Sequence, residues 1–417
     1  MKVKIYPDFI QHNEVTIPPS KSFAHRAIIC ASLSEGVSKL EHIDYSEDIL
    51  ATINAVKVLG AKVEMYDTYL YIQGVTSIKP IGNTVEVNES GSTLRFMIPI
   101  FALAGFPIRF VGKPRLFQRP LYPYNPFIHI EYHENEIVVC GYKSFNDIQL
   151  DGNVSSQFIS GFLFALPFMN QDTFIEINPP FESKSYVAMT MDVLNRFQVE
   201  IQYVNEHCIL VKGNQRYRAT KMKIEGDYSQ LAFFATLGLL NDDMKVKGVS
   251  HTTLQGDRAF LDIIQRMNGQ YQVIEDGYLF CKSHLKSCDI DLANCPDLGP
   301  ILMVLASKAE GATTIYNAGR LRIKESDRIF AMEEELKKLY VDIESDESTI
   351  YIRGSFQYNG DCILDSHNDH RVVMALSILA TTLNKPVMIE HAEAIKKSYP
   401  SFFDDLKALG ISIEIYT

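Results

Sequence analysis

A pattern that recurs six times, at intervals of roughly 70 residues, restricts the fold of this chain more than any other feature. Each copy opens with a short polar knot of Ser, Asp, Asn, Gly or Pro and continues as a run that is apolar on nearly every side. The copies read "PPSKSFAHRAIICASL", "NESGSTLRFMIPIFAL", "DGNVSSQFISGFLFAL", "GDYSQLAFFATLGLL", "NCPDLGPILMVLAS" and "HNDHRVVMALSILAT". A helix without a polar face has to be covered all round. Its polar start leaves unpaired backbone N–H groups and a positive dipole end, which together attract anions.

A second segment follows most knots: an amphipathic helix, then two strands. In "SEDILATINAVKVLGAKVEMY", Ile49, Leu50, Ile53, Val56 and Leu59 make one apolar face, and Gly60 suits a left-handed C-terminal cap. Further copies are "VAMTMDVLNRFQVEIQYV", "FLDIIQRMNGQYQVI", "IFAMEEELKKLYVDIES" and "FFDDLKALGISIEIY". One is missing, because after Arg119 the chain reads "PLYPYNPFIHIEY", where Pro123 and Pro126 exclude a regular helix. The expected architecture is therefore α/β, with six βαβαββ units, one of them eroded, and three units in each of two similar lobes.

Length supports two lobes, since 417 residues exceed what a single core ordinarily serves. With 46% apolar and 22% charged residues the chain reads as globular. "MKVKIYPDFI" is too polar for a signal peptide, and "FISGFLFALPFM" is too short to span a bilayer, so a cytoplasmic location without membrane contact is expected. Seven cysteines without a C-x-x-C pair argue against a disulfide framework and a structural zinc site. A net charge of −11 disfavours nucleic acid as a partner. Any anionic ligand must then be met by a local basic cluster.

Such a cluster is available. Lys21, Arg26, Arg95, Arg115, Arg119, Lys324, Arg328, Arg371 and Lys397 fall at the knots or in adjoining loops. Arg115 and Arg119 are four apart, as are Lys324 and Arg328, so each pair is expected to present its charge from one side of a helical turn. Taken singly, each such residue is more often a solvated surface charge. Together they suit a ligand with several negative groups, because guanidinium forks match carboxylate and phosphate. Asp297 in "NCPDLGP" is either an N-cap or a proton-transfer group, and Glu325 in "IKESDR" is either an ion-pair partner or a second such group. Which is acid and which is base stays open. Ser155, Ser156 and Gln157 are either caps or donors to a phosphate or a ring of hydroxyls. His367, Asp369 and His370 in "HNDH" lack a supporting cluster at metal-ligand spacing, and no dinucleotide, P-loop or zinc-protease motif is present, so neither metal nor cofactor is expected.

With these segments in hand, the chain resembles the 5-enolpyruvylshikimate-3-phosphate (EPSP) synthase family over essentially its whole length. The resemblance rests on "PPSKSFAHR", "SGSTLRF", "PRLFQRP", "DGNVSSQF", "SKSYVAMT", "IEGDYSQ", "CPDLGP", "RIKESDR", "NDHRVVMAL" and "KKSYPSFF", which occur in family order. It implies the inside-out α/β barrel of enolpyruvyl transferases with an interdomain active-site cleft. Domain 1 would comprise residues 1–19 and 226–417 and domain 2 residues 20–225. The implied reaction joins the 5-hydroxyl of shikimate-3-phosphate to C2 of phosphoenolpyruvate and then expels phosphate, on the route to chorismate and aromatic amino acids.

By motif, the resemblance assigns Lys21, Gly91, Arg119, Arg328, Arg371 and Lys397 to phosphoenolpyruvate. It assigns Lys21, Ser22, Arg26, Ser155, Ser156, Gln157, Ser183, Tyr186, Asp297 and Lys324 to shikimate-3-phosphate, and names Lys21, Asp297, Glu325 and Lys397 as catalytic. It implies a monomer that needs only these two small molecules. Glu89 stands where the family commonly has Asn, and Arg320 where several relatives carry a polar residue near the shikimate phosphate, so Arg320 stays outside the expected site. A UDP-amino-sugar enolpyruvyl transferase is the nearest alternative, but its relatives carry a reactive Cys near "PRLFQRP", and no cysteine lies between Ala31 and Val139. A non-catalytic polyanion-binding relative is the alternative from another class.

Overall fold

The six apolar runs fold as the helices Lys21–Ser32, Gly91–Phe101, Ser156–Ala165, Tyr228–Leu240, Gly299–Ser307 and His370–Ala380. The computed structural model describes residues 1–355 and 358–416. Burial follows from the lack of a polar face: every residue of His370–Ala380 is buried, as is every residue of Tyr228–Leu240 but the last. Amphipathic helices follow as expected, and Glu47–Leu59 ends at Gly60, whose φ of 110° is the left-handed cap. No helix among the described residues is long and apolar enough to cross a membrane.

The chain divides into two compact units: an insert unit, Pro19–Glu225, and a flanking unit, Met1–Pro18 with Gly226–Thr417. The described residues form six four-stranded sheets of one plan, a parallel pair followed by two strands in antiparallel order. In the insert unit one sheet runs Thr84–Asn88, Ile108–Gly112, Glu136–Tyr142, Ile128–Tyr132, with Val85 opposite Phe110 in the parallel pair. Here Pro114–Gln118 and the single turn Tyr122–Tyr124 stand in place of the second helix, as the prolines dictate.

The repeats are not contiguous in the chain, because each unit borrows a strand from a distant segment. The chain enters the insert unit directly at a helix, leaving its first sheet without a first strand. Lys221–Lys223, from the far end of the unit, fills that place parallel to Val37–Glu41, with Met222 opposite Leu40. The flanking unit does the converse. Glu14–Thr16 pairs in parallel with Met244–Lys247, and Lys2–Ile5 lies antiparallel to both Val387–Glu390 and Ile413–Tyr416.

Inside the insert unit a chain of buried polar contacts ties the helices near their starts. His25 Nδ1 lies 2.7 Å from Thr52 Oγ1, Thr52 Oγ1 lies 2.6 Å from Thr93 Oγ1, and Thr93 Oγ1 lies 2.7 Å from Ser90 Oγ. Burial first, then the nearby charges of Lys21 and Arg26, push the His25 imidazole well below its ordinary pKa. The native ring therefore stays neutral where the unfolded ring takes up a proton, and stability falls as pH drops below about 6.5, by up to about 1.4 kcal/mol per pH unit. His25→Gln keeps a hydrogen-bonding group toward Thr52 but does not titrate. Urea unfolding between about pH 7 and pH 5 is expected to show a shallower loss of stability in this variant than in the wild type.

Candidate active site

In the insert unit the polar knots bring cations onto the helix starts. Lys21 is the first residue of its helix, and its Nζ lies 2.6 Å from Asp48 Oδ2. Arg26, one turn on, is buried and meets neutral partners: Nε donates to Thr190 Oγ1 at 2.7 Å, and its two terminal nitrogens donate to the Ser22 and Tyr186 carbonyls at 2.7 and 3.2 Å. Its guanidinium also lies 5.0 Å from the Phe96 ring centroid. Burial pushes its pKa down to about 10, which still leaves it charged at neutral pH. A cation so placed holds its charge against short polar groups and π faces.

The second and third knots meet through Arg95. It donates to Gln157 Oε1 at 2.7 Å and to the Pro120 carbonyl at 3.2 Å, while Gln157 Nε2 donates to Ser92 Oγ at 3.0 Å. Ser155 caps its helix by accepting from the Gln157 N–H at 3.3 Å, Ser156 is the first helical residue, and both hydroxyls thus stand at one helix start. A Cβ at Gly91 would fall 2.6 Å from Arg119 Nη1, so the guanidinium lies against the Gly91 backbone. Ser183, buried and left-handed at φ 53°, precedes the helix that carries Tyr186, whose N–H donates to the Ser183 carbonyl at 3.1 Å.

The flanking unit collects a denser set. Asp297 Oδ1 accepts from Lys324 Nζ at 3.1 Å and from Arg328 Nη1 at 3.2 Å, and its Oδ2 accepts from Arg371 Nη2 at 3.1 Å. Arg328 is wholly buried and donates also to Asp369 at 2.8 and 3.2 Å and to Glu325 Oε2 at 3.2 Å. His370 Nδ1 is 2.8 Å from that same Glu325 oxygen. Lys397 Nζ donates to the Asn368 carbonyl at 2.5 Å. Burial alone would raise the Asp297 carboxyl, yet Arg371, Lys324 and Arg328 together hold it well below the ordinary carboxylate range. It stands ionised, in reach of any hydroxyl brought beside it.

Several local expectations change on contact with the fold. A serine at a helix start favours a side-chain cap, yet Ser20, which precedes the first helix, makes none. The four-residue spacings do not act through a shared helical face: Arg119 lies in extended backbone beyond the end of Pro114–Gln118, and Lys324 is extended while Arg328 opens the next helix. Lys324 and Arg328 converge nevertheless, through Asp297. Donor atoms of Glu325, Asp369 and His370 lie within 4.8 Å of one another, as in a metal site, but the Arg328 guanidinium already binds both carboxylates. Glu89 pairs with Lys113 at 2.9 Å, which offsets the charge that distinguishes it from the family's Asn. Arg320 donates to the Ala293 carbonyl. Sequence reasoning missed Asp48 and the structural weight of Asp369; a carboxylate next to a helix start, within reach of an invisible partner, was their only signal.

A family model described as EPSP synthase (3-phosphoshikimate 1-carboxyvinyltransferase) matches residues 10–406. The chain belongs to the EPSP synthase family. Among its relatives, the 3-phosphoshikimate 1-carboxyvinyltransferase of Clostridium botulinum (strain Alaska E43 / Type E3) is 42% identical over 98% of this chain and 97% of its own length. The protein of the same name from Clostridioides difficile (strain 630) is 41% identical, over 99% and 98%. The fold matches an EPSP synthase structure from Acinetobacter baumannii with a TM-score of 0.81 at 23% identity, covering both chains fully. It also matches the enolpyruvyl transferase NikO from Streptomyces tendae, with a TM-score of 0.80 at 14% identity over 99% and 98% of the chains. Enolpyruvyl transferase architecture therefore holds for this EPSP synthase family member.

The Arg328 grouping carries a direct consequence for stability. Replacing Arg328 with Met strands Asp369 as a buried carboxylate without its fork, and the expected loss is about 3–5 kcal/mol. Arg328→Lys keeps the charge but not the bidentate geometry, and is expected to recover only part of that loss. Urea midpoints of the two variants against wild type measure both.

Proposed function

We infer that the protein is a 3-phosphoshikimate 1-carboxyvinyltransferase: it transfers the enolpyruvyl group of phosphoenolpyruvate to the 5-hydroxyl of shikimate-3-phosphate and releases phosphate. The observation that carries this reading is the full-length likeness, 42% identity, to a clostridial protein of that name. The chemistry of the knots supports it. Both substrates are polyanions, and the chain's overall charge of −11 would repel them were it not for cations gathered at helix starts.

By motif, Ser22, Arg26, Ser155, Ser156, Gln157, Ser183, Tyr186 and Lys324 hold shikimate-3-phosphate, while Lys21, Gly91, Arg119, Arg328, Arg371 and Lys397 hold phosphoenolpyruvate. Asp297 contacts the attacking hydroxyl. As its oxygen bonds to C2, C3 takes a proton; loss of a proton from C3 then accompanies departure of phosphate. Glu325 and Lys397 manage that proton. Fixed cations favour this course by stabilising charge on phosphate and carboxylate without reorganising. A second effect follows from the three cations on Asp297: drawing them toward substrate oxygens weakens their hold on the carboxylate and raises its basicity when a hydroxyl arrives. In this reading the enzyme acts in the cytoplasm as a monomer and needs no cofactor.

Phosphate release on mixing the purified protein with shikimate-3-phosphate and phosphoenolpyruvate tests the assignment, and no release at high enzyme concentration would refute it. Lys21→Met and Arg119→Ala are expected to lower kcat/KM by about a hundredfold or more; both variants stay folded, with Lys21→Met losing some stability because it strands the buried Asp48. An unchanged kcat/KM in either variant would remove that residue from the site.

A further inference from the structure

The turn that leads into the His370–Ala380 helix is held by groups that the reaction itself does not employ. His367 and Asn368 both adopt left-handed backbone, with φ of 50° and 54°, a conformation that non-glycine residues keep only where their surroundings impose it. The Asp369 N–H closes the turn on the Ser366 carbonyl at 3.0 Å, and the His367 N–H donates to Asp365 Oδ1 at 2.7 Å. The His367 ring supplies the third tie. Its Nε2 lies 3.2 Å from Glu335 Oε1, and the Phe330 ring meets it edge-on at 5.9 Å.

Glu335 is an unusual anchor. Its side chain is fully buried on the helix Arg328–Lys338, where it accepts Lys338 Nζ on both oxygens at 2.8 Å and the Asp365 N–H at 2.9 Å. What the turn delivers lies on its other side: the Asn368 carbonyl that receives Lys397 Nζ, and Asp369, which clamps Arg328. One helix thus carries at its start the arginine of the charged cluster and, two turns later, the carboxylate that seats the turn facing it.

We propose that the His367 imidazolium, seated on Glu335, is a positioning group for the reaction: it fixes the turn that sets the Asn368 carbonyl against Lys397 and Asp369 against Arg328. The roles of Lys397 and Arg328 rest on the enolpyruvyl-transfer reading above. The charges that face the ring are Glu335 at 3.2 Å and Glu334 at 3.7 Å from the Arg328–Lys338 helix, and Asp365 from the preceding strand, with Lys338 behind Glu335 and His391 2.8 Å from Asp365 on its far side. The hydrogen bond to Glu335 raises the His367 pKa; partial burial opposes it, and Asp365, Glu335 and Glu334 add to the rise. The bonded, charged form is therefore complete below the ordinary His value of about 6.5 and is lost as pH climbs through the raised value. Turnover is expected to fall on the alkaline side for this reason.

The test uses the full chain with His367→Gln, which keeps a donor toward Glu335 but does not titrate, and His367→Ala, which removes the tie. At acid to neutral pH, His367→Ala is expected to lower kcat about tenfold, with KM for shikimate-3-phosphate unchanged. His367→Gln is expected to retain kcat within about threefold and to flatten the alkaline fall between about pH 7 and pH 9. Hydrogen exchange in the free protein should show the Asp369 amide losing protection about tenfold in His367→Ala. A pH profile of His367→Gln identical to wild type, or unaltered Asp369 protection in His367→Ala, would overturn the proposal. Should the wild type release no phosphate, the reaction assignment fails separately, and the exchange measurement alone decides whether His367 holds the turn.

Discussion

A helix with no polar face is stable only where every side is covered, and this constraint shapes the whole molecule. Six such helices occur here, three to each compact unit, and each unit covers its three with mixed sheets and amphipathic helices. Burying the flanks leaves only the ends for polar chemistry. At the N-terminal ends backbone N–H groups need partners, and Ser90, Ser155, Asp227 and Asp369 supply them with side-chain oxygens. Lysine and arginine beside those ends then share the sign of the dipole, an arrangement that costs stability unless carboxylates or an anionic ligand answer it.

Within the flanking unit the answer is partly internal. Asp297, Glu325 and Asp369 pair with Lys324, Arg328 and Arg371, so much of the cluster's positive charge is answered within the unit. The insert unit relies less on carboxylates. Arg26 and Arg95 are buried against carbonyls, hydroxyls, an amide and aromatic faces, partners that carry no opposing charge. The two units thus differ in electrostatic character: fixed positive charge without an opposing carboxylate around Arg26 and Arg95, and a carboxylate held ionised among cations at Asp297.

Much of this was legible in the residue order. Apolar runs with polar starts predict the six buried helices because burial on all sides leaves an unmistakable composition, and Pro123 and Pro126 mark the one place where a second helix fails. Pairings made across long separations left no such trace. The strand Lys221–Lys223 beside Val37–Glu41, Asp48 on Lys21 and Thr190 on Arg26 are brought together only by the closed core. Spacing misled where backbone was not helical: Arg119 and Lys324 both lie in extended segments, so a four-residue interval says nothing about their direction. The family motifs supplied what periodicity lacked, because they tie residue identity to a place in a known architecture.

The borrowed strands have a consequence for how the chain matures on the ribosome. The insert unit holds all its own strands once Lys221–Lys223 has been made, so it can close while the rest is still being synthesised. Lys2–Ile5 precedes both its neighbours, Val387–Glu390 and Ile413–Tyr416, by more than 380 residues. It has to wait, unpaired, until those later strands are made. Its opening Met-Lys-Val-Lys carries two lysines, which keep a naked edge soluble until its late partners arrive.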